Sequence, residues 1–92
     1  MSNDLPEDVE KYAETPVFSD VTVPVKLTED HDTKPGVWGL ICVISGQLRY
    51  DITGAPEKSE LLKAGEYGVI RPQEKHRVSL SPDTRFKVQF YK

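Results

Sequence analysis

The chain contains a single cysteine, Cys42, so no internal disulfide can staple it. It has no excess of positive charge: 12 Lys and Arg face 15 Asp and Glu, a net charge of −3, which argues against a nucleic-acid-binding module. No apolar run approaches the ~20 residues needed to cross a bilayer as a helix, so no membrane partner is expected. Met1 to Glu10 carries four acids with neither a basic n-region nor an apolar h-region, so it does not read as a secretory signal. With no disulfide either, a cytoplasmic location is the default expectation. P-loop, dinucleotide-type Gly-rich turn and paired-cysteine zinc site are all missing, which leaves no basis for a nucleotide cofactor. No stretch of ten or more residues shows helical periodicity, which points away from a helical fold.

What remains is strand signal. From Val37 to Ile44 both parities are apolar apart from Gly39, the pattern of a central strand covered on both faces. After Ser45-Gly46, which reads as a tight turn, Leu48, Tyr50 and Ile52 alternate with Gln47, Arg49 and Asp51, so a half-buried hairpin partner is expected. Residues 1–11 are polar, acidic and interrupted by Pro6, and are expected to form a flexible lead-in to a single domain over 12–92. Tyr12 to Phe18, with Pro16, suits an edge strand. Val21, Val23 and Val25 alternate with Thr22, Pro24 and Lys26, which predicts a short strand reaching Leu27 or Thr28. Further strands are predicted at Glu60–Lys63, Tyr67–Ile70, His76–Leu80 and around Phe86, Val88 and Phe90. About eight short strands separated by turns indicate an all-β barrel or sandwich. A small core makes a homodimer a reasonable expectation.

His31 and His76 are the only histidines. His76 shares parity with Val78 and Leu80, which turns it inward, while His31 lies in the polar loop ending at Pro35-Gly36. The pair could hold a divalent ion such as Zn, Fe, Mn or Ni, with Asp32, Glu74 or Gln89 as a third ligand, or His76 is a hydrogen-bonded core residue and His31 a loop residue. Gln89 shares the outward parity of Arg85 and Lys87, which argues against its reaching the same ion. Trp38 either lines a pocket mouth or packs with Leu40, Cys42 and Ile44 in the core. Cys42, mid-strand, reads as a small buried hydrophobe rather than a nucleophile. Arg49, Arg71 and Arg77 could present guanidinium groups to an oxyanion. The acids concentrated in residues 1–33 and the bases in 71–92 read as two solvated faces.

Three features together, namely His31 ahead of Gly36-Val37-Trp38-Gly39, the segment Val43 to Tyr50, and Pro72-Gln73-Glu74-Lys75-His76-Arg77-Val78, resemble the small cupin-like domain of the TehB/YeaR-like family. The resemblance spans Tyr12 to Tyr91. It implies a cupin-like, jelly-roll type β-barrel with a pocket open at one end, and a link to tellurite resistance or nitrate response in bacteria. It further implies metal ligation by His31 and His76; Trp38 and Gln89 are taken, from the reading of the residues themselves, as candidates for the ligand pocket. Thr33 stands where the full cupin pattern has its second histidine, and no glutamate lies between His31 and Trp38. The expected function is therefore a stand-alone domain that binds a small molecule or oxyanion, without the methyltransferase domain to which such domains are fused in some relatives. The alternatives are a metal-dependent cupin enzyme, a dioxygenase or isomerase, and a regulatory or structural partner domain.

Overall fold

The computed structural model describes residues 5–29, 32–53 and 57–92. Among these described residues eight strands form two antiparallel sheets: β1 (Lys11–Glu14), β2 (Phe18–Ser19), β3 (Trp38–Ser45), β4 (Gln47–Ile52), β5 (Lys58–Lys63), β6 (Tyr67–Ile70), β7 (His76–Leu80) and β8 (Arg85–Tyr91). One sheet runs β1-β8-β3-β6, with β2 also paired to β8, and the other runs β5-β4-β7. The fold is all-β, and the two sheets face one another without closing into a barrel.

The register decides which side chains meet. In the first sheet Ile41 lies opposite Val88 and Gly68, and Val43 opposite Phe86, so these residues share the inner face. In the second, Leu48 faces Leu62 and Leu80, and Tyr50 faces Val78. Ile41, Val43, Leu48, Tyr50, Leu62, Ile70, Val78, Phe86 and Val88 form one core between the sheets. Burying a side chain of this kind stabilises the fold by about 1.5–3 kcal/mol.

The long apolar strand is central, with β8 on one side and β6 on the other. Its second apolar parity, Leu40 and Cys42, points to the outer face, where both are buried beside Lys87, Gln89 and Tyr67. Cys42 is a free thiol whose pKa is raised by burial, in keeping with its expected role as a small hydrophobe. Ile44, of the same parity, is half exposed, at the point where the register with β8 shifts between Val43 and Ser45.

Two local expectations are corrected. Ser45-Gly46 does not close a hairpin: β3 and β4 belong to different sheets, and the turn carries the chain from one layer to the other. Strict alternation in β4 reports one buried face and is silent about which strand supplies the hydrogen bonds. Nor do Val21 to Leu27 form a strand. Ser19 Oγ and Thr22 Oγ1 bond local backbone amides, Val23 N–H donates to Ser19 O, and Val25–Thr28 follow as a 3-10 turn. Pro24, lacking an N–H, starts that turn, and Val21 is left 85% exposed.

One end of the molecule is clasped by three turns. Gly46 has φ +68°, and a Cβ there would lie 2.8 Å from Asp83 O. Ser45 Oγ donates to Asp83 O, Ala64 N–H to Gly46 O and Gly65 N–H to Val43 O. The fully buried Thr84 hydroxyl donates to Gln47 O. Gly46→Ala is therefore expected to lower the unfolding free energy by about 2–3 kcal/mol. Gly65→Ala, with φ +87° but nothing within 4 Å of the added carbon, should cost about 1 kcal/mol. Equal urea midpoints for the two variants would contradict this account of the corner.

On the outer face of the second sheet, Asp51 accepts from Ser59 Oγ at 2.6 Å and Arg49 Nε at 3.0 Å, with Arg77 Nε 3.9 Å from its other oxygen. The Ser59 bond is the main reason its pKa lies below the ordinary 3.8, with Arg49 adding to it and burial opposing. A depressed folded-state pKa means stability present above the ordinary value and lost as pH falls through the folded one. Asp51→Asn should flatten the loss of stability below about pH 4 in urea titrations. An unchanged acid limb would show that Asp51 contributes nothing to it.

Candidate functional site

The opposite end holds the loop before β3, the segment after β4 and the loop joining β6 to β7. Thr33 ties two of these together. Its hydroxyl donates to Arg71 O at 3.0 Å, while Gln73 N–H donates to Thr33 O at 3.0 Å and lies 3.2 Å from its Oγ1. This clamp holds Gln73 at φ +61°, a left-handed conformation uncommon outside glycine. The chain is thereby turned so that Glu74 precedes His76 at the start of β7. Thr53 N–H donates to Lys75 O at 2.9 Å, tying in the end of β4.

His76 is 1% exposed and sits opposite Ile52 in the ladder. Its Nδ1 is 2.6 Å from Glu74 O. A carbonyl oxygen only accepts, so Nδ1 carries a proton. The imidazole packs against Tyr50, ring centroids 5.5 Å apart at 53°. Tyr50 is 1% exposed and its hydroxyl pKa is raised, first by burial and then by the negative charge of Glu74. Among the described residues, three buried side-chain polar atoms have no protein hydrogen-bond partner: Tyr50 Oη, Thr53 Oγ1 and Glu74 Oε1.

His76 also lines a cavity of about 420 Å³ opening between the sheets, within the size range of small-molecule sites. Phe18, Leu27, Val37, Ile70, Val88 and Phe90 supply apolar walls, and Lys26, Asp32 and Lys34 stand exposed at its mouth. A second groove, of about 490 Å³, lies on the outer face of the first sheet, lined by residues including Leu40, Cys42, Tyr67, Lys87 and Gln89.

The structure separates the residues proposed from the sequence. His76 is in the inner cavity. Gln89 is on the outer groove, where its amide donates to Glu14 Oε1 and its carbonyl accepts from Tyr91 Oη. Trp38, half-buried and opposite Tyr91, belongs to the outer face and is not in the described lining of the inner cavity. Arg49 and Arg77 flank Asp51 on the outer face of the second sheet. His31 falls outside the described residues. Among the described residues no three His, Cys, Asp or Glu side chains gather into a metal-binding group. Sequence reading missed Tyr50, Thr53 and the Thr33 clamp. Tyr50 was visible only as one of three inward residues of an alternating strand, and nothing local marked its hydroxyl.

Residues 13–88 match the model of the TehB-like domain. The uncharacterized protein YeaR of Escherichia coli K12 is 26% identical over 95% of this chain and 81% of its own length. A probable S-adenosyl-L-methionine-dependent methyltransferase TehB of Haemophilus influenzae is 33% identical over 87% of this chain, which spans only 30% of that protein. Among solved structures, one of an Escherichia coli K12 protein superposes with a TM-score of 0.89 at 25% identity, covering 99% of this chain and 97% of that one. The crystal structure of TehB from Haemophilus influenzae superposes at 0.83 with 26% identity, over 92% of this chain and 32% of that one.

Proposed function

The chain belongs to the TehB-like domain family, and from that premise we propose that it is a binding domain for a small organic molecule, held in the cavity between its two sheets. The observation that carries this reading is the cavity itself, of about 420 Å³ with Phe18, Leu27, Val37, Ile70, Val88 and Phe90 as walls and the His76 imidazole as a polar contact. Apolar walls reward an apolar body by about 25 cal/mol per Å² removed from water. They do not replace the hydration of an inorganic oxyanion, whose burial is costly without paired donors. No arginine is in the described lining, and Lys26 and Lys34 are at the solvent-exposed mouth. An organic ligand therefore fits better than tellurite or nitrate, and any part in tellurite resistance would run through that ligand.

The test uses 2-phenylethanol, an apolar body with one hydroxyl, in isothermal titration. Binding at about 1 mM or tighter is expected, weakened at least tenfold by Val37→Trp, which places an indole at the mouth. Potassium tellurite should not compete. Absence of probe binding, or its displacement by micromolar tellurite, would sink the reading.

A divalent ion at His76 is a second reading, favoured by the Nδ1 bond to a backbone carbonyl, a common way to orient a ligating imidazole. In this reading His76 and Glu74 would be the donors among the described residues, with His31 as the further ligand expected from the sequence. The ion would supply Lewis-acid polarisation of a bound oxygen. Protein purified without a histidine tag should then hold near-stoichiometric metal that is lost in His76→Ala. Metal-free protein that also refuses added Zn, Fe, Mn and Ni would end this reading and leave the first intact.

A further inference from the structure

The two outer faces of the molecule are built differently. On the second sheet, Gln47, Arg49 and Asp51 of β4 stand beside Ser59 and Lys63 of β5 and Arg77 of β7, with Leu61 as an apolar exception. On the first sheet, the register brings Trp38, Leu40, Cys42 and Ile44 of β3 to the outer face, with Tyr67 and Val69 of β6 beside them. A strand apolar on both parities is the pattern of a sheet covered on both faces. The second sheet covers the inner parity of β3. The outer parity forms the groove of about 490 Å³, whose described lining comes from β3, β6, β8 and Gly65, so no other described segment roofs it. Leu40 and Cys42, both buried, make its floor, and Ile44 and Tyr67, each about half exposed, stand at its sides.

The polar residues of this face are paired with one another. Glu14 Oε1 accepts from Lys11 Nζ at 3.1 Å and from Gln89 Nε2 at 3.0 Å, Lys87 Nζ lies 3.5 Å from Glu14 Oε2, and Tyr91 Oη donates to Gln89 Oε1. Arg85, at the start of β8, is turned to the Thr84 carbonyl at the corner. Covering the face therefore strips no carboxylate of water without leaving it partners. Lys11, Lys87 and Glu14 leave one surplus positive charge, whose repulsion between two like faces is screened by solvent.

We propose that this face is the contact between two copies of the chain, packed sheet on sheet about a two-fold axis. An isologous interface needs one surface that carries both knob and socket. Ile44 and Tyr67 project here beside the groove that Leu40 and Cys42 floor. Four strands ~4.8 Å apart and eight residues in β3 rising ~3.3 Å each give a face of roughly 19 by 26 Å. That is of the same order as the ~800 Å² each partner gives to a standard interface. A second copy also suits a domain of this size, whose single core hides a modest share of its surface. The inner cavity opens between the sheets, so pairing through the outer face leaves it accessible whatever it holds.

Sedimentation equilibrium of the untagged chain tests this. Wild type should show twice the mass of the single chain, with a dimer Kd of about 10 μM or tighter. Ile44→Lys and Tyr67→Lys each set an ammonium against the partner's apolar groove and should weaken the dimer at least tenfold while still unfolding cooperatively in urea. Leu61→Lys, at a position 53% exposed on the outer face of the other sheet, should leave the dimer unchanged. Wild type alone gives a residue-level reading that needs no variant to fold: on dilution through the Kd, the methyl signals of Leu40, Ile44 and Val69 should shift and those of Leu61 should stay. A wild type that remains monomeric at about 200 μM overturns the proposal. So does a dimer that survives both Ile44→Lys and Tyr67→Lys, a dimer that Leu61→Lys breaks, or methyl shifts confined to Leu61.

Discussion

Everything in this molecule depends on how the chain passes between layers at Ser45-Gly46. A hairpin there would have placed β4 beside β3 in one sheet. The left-handed Gly46, pressed against Asp83, instead sends β4 into a second sheet, whose Leu48 and Tyr50 face Ile41 and Val43 across the core. The turn at Ala64 to Glu66 and the Ser81 to Arg85 turn make the same crossing beside it, and their mutual backbone bonds clasp that end. Closure at one end leaves the loops of the other free to shape a cavity.

At that open end the loops are not arbitrary. The Thr33 clamp holds Gln73 in its left-handed turn, which delivers Glu74 and His76 to the inner side, and the ladder places His76 opposite Ile52 with Tyr50 packed on its ring. The imidazole that packs on Tyr50 also lines the apolar cavity. The TehB-like family membership is consistent with a site on a compact domain that appears both as most of a YeaR-sized chain and as under a third of TehB.

Much of the fold was legible because buried strands leave clear patterns. The apolar run of β3, the alternation of β4 and the inward parity of His76, Val78 and Leu80 all reappear in the structure. Where reading failed, the reason was local. Val21, Val23 and Val25 alternate as a strand would, but Ser19 and Thr22 side chains capture the backbone first and Pro24 offers no ladder donor. Alternation likewise could not distinguish a hairpin from a layer crossing at Gly46. Of the candidate site, the sequence indicated His76. The outward parity of Gln89 was legible as well, but the sequence could not show that Trp38 lies with it on the far side of the first sheet from the cavity, nor that Tyr50 and Thr53 carry unpaired hydroxyls. Pairing is a property of three-dimensional neighbours, and the neighbours here come from separate loops.

The central claim is that the inner cavity, and not the outer groove, is where this domain meets its ligand. Methyl-labelled protein titrated with 2-phenylethanol and followed by NMR tests it most directly. The account predicts shifts and ligand contacts at Leu27, Val37, Ile70 and Val88, which line the inner cavity. Perturbations confined to Leu40 and Ile44, on the outer groove, would contradict it.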